Sequence, residues 1–255
     1  MFSGDRSAML EDYQTADTRG VISAEATYSF PEAGMHVSSR SRRNNRLPSQ
    51  LFRYRVVKRS LDVLAVLAAT PVLIPVLFIT ACLVVLSSPG PVFYSHRRIR
   101  QNGAFFSMWK FRTMCVNSAE VLEDYLTQHP EARAEWSKTH KLRYDPRVTR
   151  VGLFLRRYSV DELPQVWNVL TGKMSLVGPR PIVAAEVEKY KDSFSFYCRV
   201  KPGLTGLWQV SGRSTLSYDE RVGLDREYVE HWTLLRDLKI LLKTIPSVVN
   251  QDGAY

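Results

Sequence analysis

The sequence predicts a mainly α fold with short β elements, monotopic at a membrane through a re-entrant helix-break-helix and continuing into a cytosolic domain. Three observations carry that reading. Residues 63–86 hold no charged side chain, and cations stand close to both ends of the stretch. The rest of the chain repeats apolar residues at helical spacing without a series of βαβ units. Three parts follow: a disordered tail over 1–50, a basic segment with the membrane helix over 51–92, and a cytosolic domain with interfacial amphipathic helices over 93–255.

Residues 1–50 are polar with little apolar periodicity, the composition of a tail. From Arg40 to Arg59 there are eight arginines and lysines and no acid, so this segment should adhere to anionic lipid. Residues 63–86 would be about 36 Å long as a straight helix, enough to cross a bilayer core of about 30 Å. A single spanning helix is therefore the alternative that length allows. Two features oppose it. Lys58 and Arg59 precede the stretch and Arg97 and Arg98 follow it, so the positive-inside rule puts both ends on the cytoplasmic side. Thr70-Pro71 and Pro75 interrupt its middle, where proline removes a backbone donor.

Beyond the turn at Ser88–Pro91, Val92–Tyr94 reads as a short extended piece before a basic turn. Residues 108–114, MWKFRTM, alternate large apolar side chains with Lys110 and Arg112, so a strand would project both cations to one side, where they could bind diphosphate. Residues 118–136 are helical in composition, with a break at Pro130. Near the C-terminus Leu234, Leu235, Leu238, Leu241 and Leu242 alternate with Arg236, Lys239 and Lys243. Such a helix suits a membrane interface or core packing equally.

A net charge of +10 and a pI near 9.6 imply anionic partners, among which charge alone does not choose. Cys82, Cys115 and Cys198 are too scattered for a disulfide framework or a zinc site, and the histidines show no metal spacing. The N-terminus lacks the form of a cleavable signal.

The richest chemistry lies in residues 155–181, LRRYSVDELPQVWNVLTGKMSLVGPRP. Ser159 and Glu162 fit a capping box, which would start a helix and put Asp161 in its first turn. Capping alone explains both acids about as well as chemistry does. The surroundings shift that balance, because a helix start receives anions and Arg156, Arg157 and Arg180 add fixed cations. Arg180 sits between two prolines that restrict its backbone, and Arg213 follows a glycine-punctuated loop that includes Gly203 and Gly206.

Several blocks, in one order, carry a resemblance: KRSLD at 58–62, GPVFYSHRRI at 90–99, MWKFRTM at 108–114, residues 145–181, RVKPGLTGLWQVSGR at 199–213 and LDREYV at 224–229. Over about 56–255 the chain resembles the bacterial sugar transferases, small monotopic phosphoglycosyl transferases, and most closely their exopolysaccharide-initiating branch. The resemblance implies a cytosolic catalytic domain, the same re-entrant break at Thr70-Pro71, and a place at the cytoplasmic face of the bacterial inner membrane. It implies transfer of hexose 1-phosphate, galactose or glucose, from a UDP-sugar to polyprenyl phosphate with release of UMP.

Asp161 would be the nucleophile and a ligand to Mg²⁺, with Glu162 a second catalytic residue that orients groups, assists metal binding or adjusts proton occupancy. Lys110, Arg112, Arg157, Arg180 and Arg213 would contact substrate, with Asp225 and Tyr228 as secondary contacts. Arg100 stands where the family often has glycine, and a positive φ there would strain an arginine. Anionic lipid is an expected partner, nucleic acid is not, and a homo-oligomer is compatible with the sequence. Two alternatives stand beside this reading: transfer of an N-acetylhexosamine 1-phosphate by the same mechanism, and a membrane-tethered nucleic-acid-binding or scaffold protein.

Overall fold

The computed structural model describes residues 52–139 and 141–249; the expected tail and the first part of the basic segment lie outside them. The chain is mostly helical with four short strands among the described residues. Helix α1, Phe52–Ser87, is 36 residues long and contains Pro71 and Pro75. It is apolar and long enough to cross a membrane.

Most of α1 is uncovered, including Leu64, Leu67, Ile74 and Phe78. Its two halves nevertheless touch the same body. Val66 packs in a cluster with Phe106 and Met108, and Val84 packs with Phe111 and Leu155. The helix runs through both prolines without a gap. The Thr70 hydroxyl donates to the Val66 carbonyl at 2.9 Å, so it does not serve the Leu67 carbonyl that Pro71 leaves without its donor. Such back-bonding bends helices. Near its start, Arg59 donates to the Val169 and Leu170 carbonyls at 2.5 and 2.6 Å, and Asp62 accepts the Leu176 N–H at 3.1 Å.

Strands β1, Phe93–Ile99, and β2, Phe105–Phe111, form an antiparallel hairpin in which Tyr94 faces Lys110. The positive φ values at its turn fall on Asn102 and Gly103, while Arg100 is extended at φ −112°, so the arginine carries no strain. Helices α2, Ser118–Gln128, and α3, Pro130–Thr139, divide at the expected proline, which takes a helix's first position where its missing N–H costs nothing. Helix α4, Arg150–Arg157, is capped by Thr149, whose hydroxyl accepts the Gly152 N–H at 2.9 Å.

The capping box expected at Ser159 is absent. Ser159 is left-handed at φ 54° with no side-chain cap, a 3₁₀ turn runs Val160–Glu162, and α5 follows as Gln165–Leu170. The box needs the Glu162 carboxylate to fold back on its own chain, whereas an ammonium from β2 holds it. The box that does form joins Ser217 and Glu220 at the start of α8, Tyr218–Glu230.

Strand β3, Ser175–Val177, pairs in parallel with β4, Gly203–Thr205. Gly203 is required by proximity rather than by positive φ: a Cβ there would lie 2.1 Å from the Gly178 nitrogen. The short helices α6, Val187–Tyr190, and α7, Phe194–Tyr197, pack around Ile99 and Ile182. Helix α9, Leu234–Val249, closes the described chain. It docks on the base of α1, where Lys58 and Asp237 form a buried ion pair at 2.6 Å and the Tyr54 and Trp232 rings meet edge to face.

Candidate active site

Two elements bring the acid pair and its cation together. Strand β2 ends at Phe111 and carries Lys110 one position earlier, while the left-handed turn at Ser159 brings Asp161 and Glu162 beside it. The Lys110 ammonium lies 2.7 Å from Glu162 Oε1 and 3.6 Å from Asp161 Oδ2. Asn168, 1% exposed on α5, fixes this pairing: its amide donates to the Ser107 carbonyl at 2.8 Å and accepts the Trp109 N–H at 3.1 Å. A buried side chain that satisfies both backbone groups holds strand against helix.

The two acids differ electrostatically. Asp161 is buried, and burial pushes its carboxyl above the usual aspartate range, opposed by Lys110 and Arg156. Glu162 keeps a third of its side-chain surface. Burial would raise it too, but the charge and hydrogen bond of Lys110, helped by Arg180 and Arg98, hold it below the ordinary range. Arg156 is itself fixed, donating through Nε to the Thr113 hydroxyl at 2.9 Å.

Lys110, Glu162, Gln165, Arg180, Leu204 and Gln209 line a narrow cleft. Arg180 is exposed there, its guanidinium 5.8 Å from the Trp208 ring centre. Arg213 sits near the rim, left-handed at φ 49°, and donates to the carbonyl of Gln209 at 3.1 Å. Lys110, Asp161, Glu162 and Arg180 are thus brought together as expected from sequence.

Three expected contacts are buried in the body, although Asp225 lies close enough to Arg180 for that residue's charge and backbone to favour its ionised form. Arg112 is buried, and its guanidinium donates to the Ser88 and Pro89 carbonyls at 2.6 and 3.0 Å, closing the end of α1. It lies beyond the strand end, so the alternation that would align it with Lys110 no longer applies. Tyr228 is an interior residue whose hydroxyl donates to Asp237 at 2.7 Å. Asp225 is also interior, accepting the Tyr190 hydroxyl at 2.7 Å, and burial pushes its carboxyl up to about 8. The helical spacing 225, 228, 229 marks the inward face of α8, a signal readable in the sequence. Arg157 is exposed at the end of α4, and Arg156 is the arginine whose charge favours ionised Asp161.

Among the described residues no group of three or more His, Cys, Asp or Glu could hold a metal. Asp161 and Glu162 still fit Mg²⁺, which is commonly held by one or two carboxylates together with substrate phosphates.

The described chain thus joins a long apolar helix to a body that presents paired acids among cations. The chain belongs to the bacterial sugar transferase family, whose model matches residues 53–251. It is 50% identical over 205 residues to an uncharacterized sugar transferase of Haemophilus influenzae, and 49% identical over 201 residues to a UDP-galactose-lipid carrier transferase of Erwinia amylovora. Each match covers 79% of this chain and 42% of the relative, so the chain spans about two fifths of those proteins. It is also 50% identical over 200 residues to the exopolysaccharide production protein ExoY of Rhizobium meliloti, covering 78% of this chain and 88% of that one.

Proposed function

We propose that this protein transfers hexose 1-phosphate, galactose or glucose, from a UDP-sugar to polyprenyl phosphate at the cytoplasmic face of the bacterial inner membrane, opening exopolysaccharide assembly. The observation that carries the reading is a buried Asp161 within 3.6 Å of Lys110, beside a cleft that also presents Glu162 and Arg180. The name of the Erwinia amylovora relative supports the donor and a lipid acceptor.

Two displacements accomplish the transfer. An Asp161 carboxylate oxygen attacks the sugar-bearing phosphorus. The bridging phosphorus–oxygen bond breaks, and UMP leaves with the electron pair. An oxygen of the lipid phosphate then attacks the same phosphorus and expels the carboxylate, giving polyprenyl-diphospho-hexose and restoring Asp161. Burial strengthens the nucleophile by stripping its water, while Lys110 and Arg156 favour its ionised form. Glu162 anchors the Lys110 ammonium, and Arg180 holds diphosphate oxygens as charge develops. Asp161 and Glu162 would hold Mg²⁺, whose chemistry is to neutralise diphosphate charge.

The re-entrant topology belongs to this reading. Contacts of both halves of α1 with one body support it, as do the cations at both flanks and the prolines between them. It sets the acid pair where a water-soluble nucleotide sugar and a lipid phosphate meet.

The test is UMP release with UDP-galactose, UDP-glucose and their N-acetyl counterparts, each with undecaprenyl phosphate. Release beyond one equivalent per protein that depends on the lipid and favours one plain hexose supports the proposal; preference for an N-acetyl sugar redirects it, and no release with any donor removes it.

A further inference from the structure

A second cleft lies away from the acid pair. A cleft of about 380 Å³ runs between α9 and the 3₁₀ turn Trp208–Val210 and shares no lining residue with the cleft at Lys110 and Glu162.

At 3.6 residues per turn α9 divides into three stripes. Asp237, Ile240, Leu241 and Thr244 face the body, through the Lys58 ion pair, the buried cluster and a hydroxyl contact with Thr205. Leu234, Leu235, Leu238, Leu242 and Ile245 form an exposed apolar stripe. Arg236, Lys239 and Lys243 form the third, which lines the cleft with Leu207, Val210 and Leu235.

Arg236 is paired with Glu227, whereas among the described residues neither Lys239 nor Lys243 meets a carboxylate. Two ammonium groups one turn apart, above an apolar floor, leave a positive site without a counter-ion among the described residues. Helix α9 begins near the base of the apolar helix α1, where Lys58 meets Asp237 and Tyr54 meets Trp232, so both helices carry exposed apolar residues on one body.

We propose that this cleft is a discrete binding site for the phosphate headgroup of an anionic membrane phospholipid. Lys239 and Lys243 hold the phosphodiester oxygens, Leu207, Val210 and Leu235 cover the glycerol, and the acyl chains leave along Leu238 and Leu242. A zwitterionic headgroup would bring its own ammonium against the lysines. The volume suits a headgroup, since small-molecule pockets run from about 300 Å³ upward.

The experiment titrates the purified full chain in neutral detergent with dihexanoyl phosphatidylglycerol, dihexanoyl phosphatidylcholine or glycerol phosphate, following bound lipid by native mass spectrometry. Phosphatidylglycerol should bind saturably and more tightly than the other two. The double variant K239A/K243A should weaken it by roughly thirtyfold, the combined share of two lysines at an anionic lipid surface. K239R/K243R should restore binding, separating charge from misfolding. UMP release from the donor without lipid acceptor should be unchanged by K239A/K243A, so this site is judged independently of Asp161. Equal binding of phosphatidylcholine, equal binding of glycerol phosphate, or undiminished binding by K239A/K243A would each overturn the proposal.

Discussion

Lys110 and Glu162, 52 positions apart in sequence, meet at 2.7 Å, and the same ammonium stands 3.6 Å from Asp161. One cation from a strand end thus favours the ionised form of two acids on a turn. The two acids titrate as a pair, so their pH dependence belongs to the cluster.

Lys110→Met should lower turnover about a hundred- to a thousandfold, the range for deleting one preorganised electrostatic group. The direction of the pH effect follows from the charges. Burial already raises Asp161, and Lys110 opposes that rise. Removing the ammonium lifts the carboxyl further, so the nucleophile ionises only at higher pH and the acid limb of the rate profile moves alkaline. A pH–rate profile of the variant checks this; a fall in rate with an unmoved acid limb would assign Lys110 to substrate binding alone.

Asn168→Ala should destabilise the fold by about 2–4 kcal/mol, because it orphans both the Ser107 carbonyl and the Trp109 N–H in a buried place. Thermal unfolding in detergent measures the loss. Turnover should drop in the protein that remains folded, since Asn168 holds the strand that carries Lys110.

Asp225→Asn should change the pH dependence of stability more than its level near neutrality. The folded carboxyl is raised to about 8 by burial, well above an unfolded aspartate. The folded state therefore binds more protons than the unfolded one between those values, and wild-type stability falls as pH rises through that window. The variant lacks this slope. Parallel unfolding curves at about pH 5 and about pH 9 should show Asp225→Asn gaining on the wild type at the higher pH; a constant difference would contradict a raised Asp225.

For topology, cysteines placed before Lys58 and after Arg98 should be labelled from the same side of the membrane. Labelling from opposite sides would establish a spanning helix. Replacing Pro71 and Pro75 by alanine restores two helix donors and should move some molecules toward spanning.

Much of this was legible in the chain. Apolar length and cation placement marked α1, Pro130 marked the boundary between α2 and α3, and acids among arginines marked the site. The departures from local expectation share a cause: local signals were outcompeted by long-range partners. Ser159 and Glu162 spell a capping box, yet Lys110 takes the carboxylate. Arg112 shares its alternation with Lys110 but is drawn to the carbonyls that end α1. Asn168 carries no local signal, because its partners Ser107 and Trp109 lie 61 and 59 positions away. Asp225 and Tyr228 were expected at the site from the resemblance over residues 224–229, and their spacing on α8 points them inward.

The central claim is that Asp161 becomes covalently phosphoglycosylated, and peptide mapping by mass spectrometry tests it most directly. The protein is incubated with its preferred UDP-sugar and Mg²⁺ in the absence of lipid acceptor. The account predicts UMP release and one added hexose phosphate on the peptide bearing Asp161, both lost in a folded Asp161→Asn variant, whose amide keeps the size of the side chain but is a poor nucleophile. Near-normal turnover by that variant, or the adduct on another residue, would contradict it.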